Sequence, residues 1–141
     1  MGCGMADQAV IQRQVQGAAL ILSLNRPPVN ALNAEVMAAL SAALTDAADD
    51  PAISAVVLAA EGPHFSPGAD VGELGRVQGA GLPKLTAKIE AMPKPVVACV
   101  AGNCLGAAAE LILACHGRVA HAGARIGRSG TEAIITQNTQ V

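Results

Sequence analysis

Glu110 is the carboxylate of an otherwise apolar run, with Ala108 and Ala109 before it and Leu111 and Ile112 after it. That setting predicts a desolvated carboxyl group, the condition under which an acid holds and releases a proton near neutrality. It fits a buried structural Glu held by an Arg or Lys equally well. Ala107 stands three residues earlier, so on a helix the two share a face, with the carboxylate one turn above the Ala107 N–H. Two segments, Phe65 to Asp70 and Gly102 to Glu110, read as loops that leave strands and enter helices, each presenting free backbone N–H groups at a helix start. If two such ends face each other, they polarise a single oxygen. Converging amides in a dry cleft stabilise an enolate or a tetrahedral oxyanion by about 3–4 kcal/mol per donor.

The elements that must position these groups alternate in type. Val10 to Gln16 and Ala18 to Leu24 read as a hairpin joined at Gly17, broken afterwards by Asn25-Arg-Pro-Pro28. Val36, Met37, Leu40 and Leu44 then follow helical spacing, with Asn33 as N-cap and Asp46 to Pro51 as the stop. Ala55 to Ala60 is a short apolar strand, and a loop from Glu61 to Gly68 leads to Ala69-Asp70 and a weak helix. A glycine-rich connector, Gly75 to Gly81, precedes a short helix around Leu85 to Met92. Pro95 to Val100 is strand-like, Ala101-Gly-Asn103 a tight turn, and Leu105 to Cys115 a helix; Val119 and Ala120 suit a brief strand. Strands alternating with helices predict an α/β fold, mainly parallel after the opening hairpin.

Composition narrows the function classes. The chain has 141 residues, 9 Lys+Arg against 11 Asp+Glu and 14% charged residues, enough for one core and without the basic surplus that a phosphate backbone demands. With no Trp or Tyr and a single Phe, it has no stacking platform for bases. Nucleic acid is therefore excluded as the expected partner. Cys3, Cys99, Cys104 and Cys115 form no C-x-x-C pair, and three lie in apolar stretches, as packed, reduced thiols do; with no secretory signal at the start, a cytoplasmic protein is expected. Val96 to Cys115 has nearly the length of a bilayer span, but Gly102, Asn103, Gly106 and Glu110 favour a soluble strand-turn-helix. No membrane span is expected.

Four ordered blocks carry a resemblance: Leu24-Asn-Arg-Pro-Pro-Val-Asn-Ala-Leu32, Phe65-Ser-Pro-Gly-Ala-Asp70, Pro93-Lys-Pro-Val-Val-Ala98 and Gly102-Asn-Cys-Leu-Gly-Ala-Ala-Ala-Glu-Leu111. In order and spacing they resemble the enoyl-CoA hydratase/isomerase (crotonase) family, and Cys115-His-Gly-Arg-Val-Ala-His-Ala122 is most similar to the hydratase/isomerase part of multifunctional β-oxidation enzymes. The resemblance implies a crotonase-like spiral of ββα units, assembled as trimers or hexamers, acting on acyl-CoA thioesters without a further cofactor. It implies an oxyanion hole from the N–H groups of Ala69 and Ala107, with Ala107 in place of a glycine common in the family, and Glu110 as the first hydratase glutamate. Asn30, Ala31, Phe65, Ser66, Gly68, Asp70 and Gly106 fall where the family holds the CoA thioester.

The second glutamate does not match. The family pattern sets it three residues past the glycine at 127, where this chain has Gly130, and Glu132 comes two residues late. The expectation is thus a truncated spiral: a flexible segment 1–9, a partial domain 10–127 and a divergent, poorly ordered tail 128–141. Hydration by two carboxylates would be impaired, and the alternative is a fragment that only binds acyl-CoA or partner subunits. Rival motifs fare worse. Gly102-x-x-x-Gly106 lacks the central glycine of a dinucleotide loop, Cys115, His116 and His121 lack a fourth metal ligand, and Ser66 and Ser129 lack a nucleophile elbow. His64 reads as a solvated loop residue, and Arg26 and Lys94 as candidate partners for CoA phosphates.

Overall fold

The computed structural model describes residues 9–70 and 81–127, and the backbone of 133–136. β1 (Ile11–Gln16) and β2 (Ala19–Leu24) form the expected antiparallel hairpin, Gln16 facing Ala19. β3 (Ala55–Ala60), β4 (Val96–Val100) and β6 (Gly117–Ala120) then join β2 in parallel, giving a five-stranded sheet ordered β1-β2-β3-β4-β6. Alternation along the strands sends Leu20, Leu22, Leu24, Val56, Leu58, Val96, Ala98 and Val100 into the core. Cys99, one residue out of phase, faces outward and is exposed, which corrects the expectation that it is packed.

α1 (Ala34–Asp49) covers the sheet with Val36, Met37, Leu40, Ala43, Leu44 and Ala47, a stripe at helical period. Its start is capped as the sequence predicts: Asn33 Oδ1 accepts from Val36 N at 2.9 Å. Its end is held by Lys94, whose ammonium donates to the carbonyls of Ala47 (2.6 Å) and Asp50 (2.7 Å). Lys94 is thereby a helix cap, a cation against the negative end of the dipole, and not the phosphate contact that was expected. α2 (Leu82–Glu90) packs through Leu82, Leu85 and Ile89.

The segment after β4 differs from the expected continuous helix. Asn103–Leu105 is a short strand, β5, and α3 begins at Ala107 and ends at Leu113. Gly106 is the reason: at φ 58, ψ −124 it is outside the helical region and in one that strongly favours glycine. β5 pairs in parallel with β7 (Ala124–Gly127), and β8 (Ala133–Thr136) pairs antiparallel with β7, making a second, three-stranded sheet. β8 lies inside the tail expected to be poorly ordered and gives four of its residues a paired backbone. The rest of that tail, the first eight residues, the weak helix after Asp70 and nearly all of the glycine-rich connector lie outside the described residues.

Burial pushes the Cys104 thiol up to about 12 and the Cys115 thiol to about 11, and both stand free. No described helix is long and apolar enough to cross a membrane, and no group of three or more His, Cys, Asp or Glu among the described residues could hold a metal ion.

Candidate active site

The two loops singled out by sequence lie side by side, zipped by the main chain. Ser66 N donates to Asn103 O (3.0 Å) and Leu105 N to Ser66 O (3.0 Å), a parallel bridge that fixes the 65–70 segment on β5. On the opposite side Leu32 N donates to Gly68 O (2.8 Å) and Asp70 N to Leu32 O (2.7 Å). In a bridge of this kind both bonds go to Leu32, so Ala69 turns its own N–H away from Leu32. Gly68 completes the junction. Its φ is 109, and a Cβ there would stand 2.8 Å from Leu105 O and 3.3 Å from Ala107 N. Bond lengths then hold the amide nitrogens of Ala69 and Ala107 within about 7 Å of each other. Among the described residues neither amide donates to a main-chain carbonyl, while the neighbouring Gly106 N is taken by Gly127 O at 2.9 Å.

The residues beneath this junction are committed to the protein. Phe65 and Ser66 are 1% and 0% exposed, and Ser66 Oγ accepts from Gly68 N at 3.1 Å. Asn30, 5% exposed, donates through Nδ2 to the carbonyls of Glu61 (2.9 Å) and His64 (3.2 Å) and accepts Arg26 N on Oδ1 at 2.8 Å. What these positions can offer a ligand is main chain, not side chain. Asp70 and Ala31 are both held by Arg26, whose Nη1 reaches Asp70 Oδ2 at 2.7 Å and Ala31 O at 3.0 Å. Arg26 is therefore turned onto its own loop rather than toward a phosphate.

Two expectations need correction. Glu110 is exposed, because helical periodicity buries Ala107, Ala108, Ala109, Leu111 and Ile112 and leaves positions 110 and 113 on the outer stripe. Apolar neighbours in sequence were not neighbours in space. His64 is not a solvated loop residue: its Nδ1 accepts from Asn103 N at 2.9 Å, which ties the two loops together and requires the Nε2–H tautomer when neutral. Nothing in the spacing around position 64 signals this role, since it depends on contact with a residue 39 positions away.

A family model described as Enoyl-CoA hydratase/isomerase matches residues 14–138. The chain belongs to that family. Among relatives of this enoyl-CoA hydratase/isomerase chain, the peroxisomal bifunctional enzyme of Danio rerio is 42% identical over 124 residues, 87% of this chain and 17% of the relative. The 2,3-dehydroadipyl-CoA hydratase of Escherichia coli is 37% identical over 127 residues, 86% of this chain and 49% of the relative. In structure it is similar to an enoyl-CoA hydratase/carnithine racemase from Magnetospirillum magneticum, with a TM-score of 0.79 at 31% identity over 84% of this chain and 49% of that one. The crotonase-like fold expected from the sequence is thus shown. The chain spans about half the length of the hydratase relative it matches, and about a sixth of the bifunctional one.

Proposed function

We propose that this chain takes the thioester of an acyl-CoA at the junction of the Gly68 turn and the start of α3, and stabilises the enolate formed there. The observation that carries this reading is the main chain of Gly68 seated against the Ala107 amide, with the next amide, that of Ala69, turned away from Leu32. Two donors sharing one oxygen stand at most about 6 Å apart, the scale on which the junction holds these two.

Glu110, three residues along α3 from Ala107, supplies the acid/base group. It takes the proton from C2 of the acyl chain, and the electron pair of that C–H bond moves onto the thioester oxygen between the two amides. Returning the proton to C4 of a 3-enoyl chain completes a double-bond isomerisation with one carboxylate. Hydration of a 2-enoyl chain needs one group to take a proton from water as its oxygen bonds to C3, and another to deliver a proton to C2. CoA enters as part of the substrate, and no further cofactor is needed for either reaction. The homo-oligomeric state, trimer or hexamer, and the cytoplasmic setting belong to the same proposal, the latter supported by the free thiols of Cys99, Cys104 and Cys115.

Exchange of the C2 protons of butyryl-CoA in deuterated water, followed by NMR, tests the enolate directly. Exchange faster than in free butyryl-CoA is expected; absence of binding overturns the reading. The exposure of Glu110 favours a second reading, in which the chain binds acyl-CoA without proton transfer. Binding with exchange no faster than in solution would select it.

A further inference from the structure

Arg26 was a candidate for CoA phosphate, but the structure gives its guanidinium a different task. We infer that Arg26 is the positioning residue of the Ala69 amide, an inference that rests on the reading of that amide as an enolate donor. Ala69 is held in place by its bridge with Leu32. The two partners of Arg26 Nη1 are the immediate neighbours of that bridge on either strand: Ala31 O at 3.0 Å, next to Leu32, and Asp70 Oδ2 at 2.7 Å, next to Ala69. A guanidinium NH₂ carries two hydrogens, so one nitrogen satisfies both acceptors and staples the two strands at the bridge.

The staple is itself anchored. Arg26 N donates to Asn30 Oδ1 at 2.8 Å and Asn30 N to Arg26 O at 2.8 Å, closing the 26–30 turn on itself. Asn30 in turn donates to the carbonyls of Glu61 and His64, and His64 accepts from Asn103 at the start of β5. The chain of bonds therefore runs from the Arg26 backbone to the strand that leads into Ala107, while the Arg26 side chain holds the segment that carries Ala69. With side chains 32% and 27% exposed, the Arg26–Asp70 pair is half-buried and less screened than a surface ion pair.

The test reads the polarisation of the carbonyl rather than stability. A conjugated aryl-enoyl-CoA absorbs at longer wavelength when hydrogen bonds draw electron density onto its thioester oxygen, so the displacement of its band at saturation reports the amides themselves. Wild type is expected to displace the band to the red. Arg26→Lys keeps the charge, but its stem is one bond shorter and its ammonium should not reach both acceptors, so it should saturate with less than half the wild-type displacement; Arg26→Gln should lose it. A structural role alone would lower the melting temperature and leave the displacement per bound ligand unchanged. Arg26→Lys with the full wild-type displacement overturns the inference, and this variant decides it alone if Arg26→Gln does not fold. Wild type that binds with no displacement instead removes the enolate reading on which the inference rests.

Discussion

A side-chain carbon on Gly68 would stand 2.8 Å from the carbonyl oxygen of Leu105 and 3.3 Å from the amide nitrogen of Ala107, so the glycine sets how closely the two loops approach. The backbone at 68 has φ 109, where an L side chain is strained regardless of space. Gly68→Ala should therefore lower stability by about 1–3 kcal/mol from backbone strain alone and push the loops apart. Thermal melting reads the first effect. The second appears as loss of acyl-CoA binding below the melting temperature, and a Gly68→Ala protein that binds as wild type would show that close approach is not needed.

Asn30 combines a left-handed backbone, φ 66, with three side-chain hydrogen bonds, and the two can be separated. Asn30→Gly keeps the backbone at ease and loses the bonds; Asn30→Ala loses the bonds and strains the backbone. Both should be destabilised by about 1–3 kcal/mol from unpaired buried groups, with Ala worse than Gly by roughly 1 kcal/mol. Chemical denaturation of the two variants gives the order, and Ala equal to or more stable than Gly would contradict it.

Much of this fold was legible because its signals are local. The hairpin at Gly17, the Asn33 cap and the stripe from Val36 to Leu44 each follow from a few adjacent residues, and each is found where expected. The meeting of the two loops was legible from their residues, although the helix expected after Asp70 lies outside the described residues and β5 was absorbed into the helix that follows it. The expected helix start at Leu105 lost there to a tertiary bond, Leu105 N to Ser66 O, and to the backbone of Gly106, so that the helix begins at Ala107. Three side chains were misread for one reason. The roles of Arg26, His64 and Lys94 are set by acceptors or donors 5 to 47 positions away, and a cation or imidazole beside a loop looks the same in sequence whether it faces inward or out. Glu110 failed in the opposite sense, since a run of apolar neighbours is consistent with any one position of a helix facing solvent.

Stability should fall in alkali. The thiols of Cys104 and Cys115 are raised by burial to about 12 and about 11, above the roughly 8.5 of a thiol in the unfolded chain. A folded-state value above the unfolded one means that the unfolded chain loses its protons first as pH rises. The contribution is fully present below about pH 8.5 and is lost progressively toward pH 11 to 12. Denaturation midpoints between pH 8 and 10 should decline, and the decline should be shallower in Cys104→Ala. At pH 8 in the native state, an alkylating reagent should modify exposed Cys99 well before Cys104 or Cys115, as peptide mass spectrometry can read.

Glu110 separates proton transfer from folding because it is exposed on α3, one turn from Ala107. Glu110→Gln conserves shape and removes the base, and a substitution on an exposed face should change stability by no more than about 0.5 kcal/mol. If the carboxylate takes the C2 proton, exchange into bound butyryl-CoA should fall by roughly 10²–10⁴-fold while the affinity changes little. The amides of Ala69 and Ala107 remain in the variant, so the band of a conjugated enoyl-CoA should still move to the red on binding. Exchange that persists at the wild-type rate would assign the base to another group, and loss of binding together with exchange would make Glu110 a contact for the substrate rather than its acid/base group.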